Sequence, residues 1–455
     1  MKRCCKRIDI TNRILVERAV RDCISGKMNR GDTIRMFSEY SKLPCEIIKK
    51  ICKEHFMMEG LINTVIDGIQ QEIIEKKYIV KPIRYRYQVD KCNGKVRKIG
   101  IQDVKQQIYD YIAVYAMEEL FRKKIGFYQC GALKNKGCEF GAKAIKKWVD
   151  NHDIRWGWQA DIRHYYKTIP KGKLKELLRR DVDNDNVIHL VFFLIDSFEG
   201  GLSIGSYLSQ YLANYYMSYA CHYVNEQVCK LRKHRNGAAN RVNLVSHALF
   251  QMDDILIVSK SLKDLKMAVK RFSSYVSDFL GLEIKETSKL IDLSVTYIDI
   301  LGRKISRRSL TVRSSNFLRF RRTAKKVRKR VHQKKEVPLS LAKSYIGRYG
   351  AIKHSNTQRF QQKYHVSEDI KRCKEIVSTH ERRFTLPQLS AAFYPLEKGM
   401  DVVICTDEQK VTVDSPENGS EIMYEYNGNI FRTFKLTQEE IIQAPEQYLD
   451  YEGDT

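Results

Sequence analysis

The 455-residue chain contains twelve cysteines but no C-x-x-C pair. Structural zinc sites take their tetrahedral ligands from such close pairs, so a zinc ribbon or finger is not expected. The scattered thiols read instead as reduced and mostly buried, in a reducing compartment. No stretch approaches the roughly 18 apolar residues of a membrane span. The start, "MKRCCKRIDITNR", has no apolar run behind its basic residues, so a secretory signal is not expected either. These absences predict a cytoplasmic protein without membrane attachment. Repeats and low-complexity segments are also lacking.

Acid is missing where it is most informative. Residues 303–335 hold fifteen Lys or Arg and no Asp or Glu. The whole chain carries +27, whereas residues 381–455 contain fifteen acids and six bases. The remaining 380 residues therefore exceed the overall excess. A basic body of this size calls for a polyanion, most simply nucleic acid, because each phosphate contact releases counterions. Solubility needs charge, but not clustering by sign. Within the basic run, Phe317, Phe320, Ala324, Val327 and Val331 recur every three or four residues. One helical face can pack while the others meet phosphates.

Apolar content of 43% is ample for a folded core. Residues 1–80 show helical spacing, as in "ILVERAVRDCI". Residues 83–101, "IRYRYQVDKCNGKVRKIGI", alternate on both sides of Asn93-Gly94, which predicts a β-hairpin with basic arms. A helix is predicted over 104–124, then a glycine-punctuated loop, then a helix around 142–150. From 156 to about 300 strands and helices alternate, with a long amphipathic helix in "SYLSQYLANYYMSYACHYV" and one further strand in "VTYIDILGRKI". Pro338 breaks the basic run before a second helical piece. The acidic tail reads as short strands that pack on the basic body or on another subunit. The plan is α+β, with helices on a small antiparallel sheet.

The stretch "FQMDDILIVS" places Asp253 and Asp254 side by side in an apolar run, where like charges repel. A divalent cation removes that repulsion. Mg²⁺ takes oxygen ligands and completes its shell with water and phosphate. Two such ions about 4 Å apart can activate an attacking oxygen and stabilise a leaving one, usually with a third carboxylate between them. Asp161, in "QADIRHYYKTI", follows apolar strand residues and can supply it. Read alone, an Asp-Asp in a turn is ordinary and Asp161 can be a helix cap. Their joint occurrence is more specific, with the glycine-bearing "GLSIGSYLSQ" between them.

In order along the chain these segments resemble the reverse transcriptases of bacteria and their phages. "ADIRHYYKTI" looks like the first palm motif, "GLSIGSYLSQYLANYYM" the second, and "QMDDILIVS" the Y-x-D-D motif. "LGLEIKETSKLI" is similar to the fourth motif and "YIDILGRKI" to the primer-grip strand. "DKCNGKVRKIGI" is similar to the fingers hairpin, and "SYIGRYGAIKHSNTQRF" to the thumb of retron-like and diversity-generating enzymes. The resemblance spans about residues 83–365. It implies a right-hand polymerase: a helical N-terminal extension (1–80), fingers and a palm with an antiparallel sheet (81–310), a helical basic thumb (311–375) and an acidic, β-rich C-terminal region (376–455).

The resemblance also implies roles. Asp161, Asp253 and Asp254 would hold two Mg²⁺, or Mn²⁺ in their place, with the backbone carbonyl of Ile162 as a further ligand. Arg97 would clamp the incoming triphosphate, helped by Lys95 or Lys91; an arginine fork matches phosphate oxygens. Tyr166 would lie against the sugar and exclude a 2′-hydroxyl. Gly205 and Ser209-Gln210 would face template and nucleotide. Lys285 or Lys289 would protonate the leaving pyrophosphate. Read singly, Arg97 is as readily a surface cation and Tyr166 a core residue.

Several positions depart from the pattern. Gln251 stands where the usual motif has tyrosine, Ser203 where many relatives have proline, Ile204 where others have glutamine, and Ile300 where phenylalanine is usual. "GALKNKG" is a weak form of a commoner loop. None removes a carboxylate.

The expected function is RNA-directed DNA polymerisation on a dedicated noncoding RNA template, with DNA primer and dNTPs, in antiviral defence. The alternatives are a diversity-generating element, template-independent or protein-primed DNA synthesis, and a catalytically silent RNA-binding scaffold. A homo-oligomer or an accessory protein is compatible with all of them. No zinc or H-N-H endonuclease module and no RNase H carboxylate set is evident.

Overall fold

The computed structural model describes residues 3–382 except 55–57, 90–93, 95, 132 and 234–238, and four strands beyond them. Lys91, Lys95 and Asn93 lie outside the described residues. The chain divides into two units: Met1–Ile8, Lys81–Gln102 and Ala113–Thr379 in one, and Asp9–Val80, Asp103–Ile112 and His380–Thr455 in the other.

The second unit holds the helices Arg13–Ile24, Gly31–Ser41, Cys45–Glu54 and Met58–Ile74. Asn12 caps the first by accepting the Ile14 N–H, as a short polar side chain does at a helix start. Their apolar stripes, among them Val16, Val20, Phe37, Ile62, Val65 and Ile69, are buried. Lys105 is buried too, its ammonium 2.6 Å from Glu72, which also accepts from Tyr40. The tail strands Val402–Thr406 and Gln409–Val413 form one antiparallel hairpin, and Ser420–Tyr426 and Asn429–Leu436 another.

The first unit is built on a five-stranded sheet. Its order is Gln129–Cys130, His247–Gln251, Asp254–Ser259, Trp156–Asp161 and Lys289–Asp292. All pairs are antiparallel except the short outer one, Gln129–Cys130 with His247–Gln251. Residues 255–259 are buried without interruption, so this strand reads as a continuous apolar run. Both sheet faces are covered. On one, Phe272 of the helix Leu262–Asp278 meets Trp158 and Phe250 at ring distances of 6.0 Å. On the other, Leu249, Leu256 and Val258 join Ala142, Ile145 and Trp148 of the helix Cys138–Asp150.

Several elements differ from the sequence reading. The segment expected as one helix over 104–124 is Val104–Ala116 followed by Glu118–Lys124. The helix Tyr207–His222 is buried on most of its surface rather than amphipathic, because it runs through the core. "VTYIDILGRKI" folds back on itself: Ile298–Ile300 pairs with Arg303–Ile305 across Leu301 and Gly302, both at positive φ. A two-residue turn of that hand matches the twist of a hairpin.

The basic run begins in this small sheet and continues as the helix Ser314–His332, followed after Pro338 by Leu339–Ile352. Phe320, Ala324 and Val327 are buried with Tyr345, Ile352 and Cys373 in a separate cluster. Not every cation of the run faces solvent. Arg303 is 3% exposed and donates to the His354 carbonyl, and Arg307 donates to the Ile154 carbonyl. No helix among the described residues is long and apolar enough to cross a membrane. Helices and antiparallel sheets together make this an α+β chain.

Candidate active site

Antiparallel pairing of Trp156–Asp161 with Asp254–Ser259 ends in the register pair Asp161↔Asp254. Directly opposed residues have Cα atoms about 5 Å apart and share one sheet face. Asp253 lies in the tight turn just before that strand. Met252 there adopts φ 56°, a left-handed conformation that costs a non-glycine residue about 1–2 kcal/mol. The turn lets two adjacent carboxylates escape the opposite-face alternation of a strand. The Asp253 carbonyl accepts the N–H of Ile162 at 3.1 Å, which ties the turn to the residue after Asp161. Ile162 itself is fully buried.

Charge is concentrated here. Burial and the Asp253 and Asp161 carboxylates push the Asp254 carboxyl up to about 6. Burial and then Asp161 raise that of Asp253, while Lys285 and Arg97 act in the opposite sense. The Lys285 ammonium is hydrogen-bonded to Asp161 Oδ1. Lys285 is also fixed by its backbone, whose N–H donates to the Asp161 carbonyl at 2.9 Å. Lys289, exposed, pairs in register with Gln159 two residues back from Asp161. Of the two candidate lysines, only Lys285 bonds to the carboxylates.

Among the described residues no three His, Cys, Asp or Glu side chains are gathered tightly enough to hold a metal ion. In this arrangement the Lys285 ammonium neutralises Asp161. The donor chemistry nonetheless fits a hard divalent cation. All three side chains offer carboxylate oxygens, and the raised Asp253 and Asp254 carboxyls mark burial and mutual repulsion that a divalent cation would relieve.

Tyr166 is part-buried, and its hydroxyl lies 3.7 Å from Met252 Sδ, over the same turn. Burial and then Asp253 push its phenol up to about 12. Arg97 is exposed on the strand Val96–Ile101, opposite Gln88 of Arg84–Val89. It lines a cleft of ≈ 1260 Å³ whose other walls include Arg319, Arg322, Lys326 and Arg348. Sequence reasoning did not single out those four. For Arg319, Arg322 and Lys326 the signal is the face of "SNFLRFRRTAKKV" opposite its phenylalanines; Arg348 comes from the helix Leu339–Ile352.

The 203–210 segment behaves differently from expectation. Ser209 is fully buried, and its hydroxyl accepts the Ser203 N–H at 3.2 Å, so it cannot face a nucleotide. Gly205, at φ +110°, packs on the basic hairpin: a Cβ there would lie 2.7 Å from the Gly100 carbonyl oxygen. Gln210, half-buried, sits in the first turn of Tyr207–His222 and accepts at its carbonyl from Asn214. The amide oxygen of Gln251, beside Asp254 in the ladder, is buried without a hydrogen-bond partner. Arg313, also not foreseen, acts electrostatically on Asp254 while bonded to Asp299 at 2.8 Å.

Residues 88–305 match a family model described as reverse transcriptase (RNA-dependent DNA polymerase). The chain is 21% identical over 194 residues to Protein YkfC of Escherichia coli (strain K12), covering 39% of this chain and 51% of that protein. It is 21% identical over 299 residues to the Putative COX1/OXI3 intron 1 protein of Saccharomyces cerevisiae (strain ATCC 204508 / S288c), covering 55% of this chain and 35% of that protein. The chain thus spans about half the length of the first and about a third of the second. Asp161, Asp253, Asp254, Arg97 and Lys285 all fall within the matched residues, and across 88–305 the chain carries a domain of the reverse transcriptase family.

Proposed function

We propose that the protein is an RNA-directed DNA polymerase of right-hand architecture. In this reading the basic hairpin is the fingers, the five-stranded sheet the palm, and the helices from Ser314 onward the thumb. The observation that carries it is the register pair Asp161↔Asp254, with Asp253 in the adjoining turn, inside the family match.

Asp161, Asp253 and Asp254 would hold two Mg²⁺, or Mn²⁺, with the Ile162 carbonyl as a further ligand. The chemistry such ions supply when bound is activation of a primer 3′-oxygen and stabilisation of departing pyrophosphate. The residues of the chain do the rest. Arg97 grips the triphosphate through its fork. The half-buried Tyr166 ring presents an edge that a ribose 2′-hydroxyl would strike. Lys285, beside Asp161, would hold a proton for the leaving group. Gln210 and the exposed edge of Gly205 border the nucleotide.

The template in this reading is a dedicated noncoding RNA, and the biological setting antiviral defence. A fixed-length RNA encoded beside the gene would support that setting, whereas a template–variable repeat pair would replace it with diversification. The catalytic reading is tested with purified protein, primed RNA, dNTPs and Mg²⁺. Incorporation should vanish in Asp253→Asn and in Asp254→Asn; undiminished synthesis by either variant overturns it.

A further inference from the structure

The hairpin Cys229–Lys233 and Ala239–Asn243 contributes little to the core. Leu231 is 69% exposed, Arg232 and Lys233 are exposed, and Arg241, also exposed, donates from Nε to Cys229 Sγ at 3.2 Å. A two-stranded ribbon is marginal by itself. This one is held at its base to the helix Leu262–Asp278: Lys230 Nζ lies 2.6 Å from Asp264, and Arg271 donates to the Cys229 carbonyl at 2.6 Å. That helix buries Leu265, Ala268, Phe272 and Val276 and turns Lys263, Lys266 and Lys270 outward on the opposite face. Hairpin and helix are thus joined at the hairpin's base, and each carries exposed cations. The nearby acid Asp264 is already paired with Lys230.

The hairpin is remote from the carboxylates. The hairpin leads into the strand His247–Gln251 at the end where Leu244 accepts from Ser259, while Asp254 occupies the other end of Asp254–Ser259. Five residue steps of about 3.3 Å separate the two ends by roughly 16 Å. A strand in the site would not touch this hairpin unless it extended well beyond the site.

We infer that the hairpin and helix form a second RNA-binding surface, one that grips the phosphate backbone of a folded RNA outside the catalytic cleft. Cations spread over two elements suit the regular phosphates of a double-helical RNA, whose accessible features are backbone and 2′-hydroxyls rather than base edges. A membrane is a poor match, because the helix spends its apolar face on the sheet. The inference rests on the polymerase reading only for what the RNA would be, namely the template or a region joined to it.

The test compares the full chain with a variant carrying Arg232→Gln, Lys233→Gln, Arg241→Gln, Lys263→Gln, Lys266→Gln and Lys270→Gln. Two probes are used: a folded RNA hairpin of about 60 nucleotides, and a primer–template of about 12 base pairs that fills only the cleft. The variant should bind the hairpin at least about 10-fold more weakly, with a log Kd against log salt slope shallower by about 3 or more. Affinity for, and extension of, the short primer–template should be unchanged. Equal hairpin affinity in both proteins would overturn the inference, as would equal weakening for both probes. So would polyglutamate displacing the RNA hairpin from the wild type more effectively than unlabelled RNA of the same charge. Because binding is read directly, the inference can stand or fall even if no polymerisation is found.

Discussion

The N–H of Gly100 donates to the carbonyl of Ile204 at 2.9 Å. This bond joins the strand that carries Arg97 to the loop that starts the helix Tyr207–His222. Gly205 packs on the Gly100 carbonyl, and Lys98 reinforces the join by pairing with Glu199 at 2.5 Å while lying over the Tyr85 ring.

Gly205→Ala should therefore damage the protein twice. The backbone is left-handed at φ +110°, and the new methyl would lie 2.7 Å from the Gly100 oxygen. Strain of this kind costs about 1–3 kcal/mol. Thermal unfolding should show that loss, and the KM for dNTP should rise as Arg97 is displaced. Ser203→Ala, which removes a buried hydroxyl with no partner, should be neutral or slightly stabilising.

Asp254 makes the metal-free protein sensitive to pH. Its carboxyl titrates near 6 when folded, against 3.8 as the ordinary value. The folded state therefore binds that proton more tightly, and the stability it confers is present below about pH 4 and lost as pH rises through 6. The shift corresponds to about 3 kcal/mol at most. Melting followed from pH 4 to 7 without divalent ions should show this decline. It should be smaller in Asp254→Asn, where the raised Asp253 carboxyl still contributes, and Mg²⁺ should restore stability at pH 7.

Lys285→Met removes the ammonium that neutralises Asp161. Titration calorimetry with Mn²⁺ should show several-fold tighter binding, while the turnover rate falls. Lys289→Met should alter neither, since that side chain belongs beside Gln159. A Lys289 variant with the larger effect would reverse the assignment.

Arg97→Ala should raise the KM for dNTP by about 10-fold or more with a smaller change in kcat, as loss of a charged hydrogen-bonding fork does. Arg97→Lys should recover only part of the loss, since an ammonium cannot reproduce the fork. Steady-state kinetics at fixed template concentration distinguish these outcomes.

Much of the site was legible because its chemistry leaves marks that no ordinary strand would carry. Two adjacent acids in an apolar run at 253–254, and a third at 161 after apolar strand residues, are costly unless something compensates them. The alternating arms on either side of Asn93-Gly94 signalled the basic hairpin, and the acid-free stretch signalled the helix Ser314–His332. Local patterns of charge and periodicity determine these features, so one sequence suffices to read them.

The remainder depended on how distant segments meet. No spacing rule distinguishes Lys285 from Lys289; only the register of Lys289–Asp292 against Trp156–Asp161 does. Ser209 was read as facing substrate, but the fold uses its hydroxyl to satisfy the Ser203 N–H. Arg303 looked like one more phosphate-binding cation and proved to be buried. Composition and period fix which elements form and where charge accumulates along the chain. Which atoms face one another is set by long-range strand pairing and packing, whose energies are summed over residues far apart in the sequence.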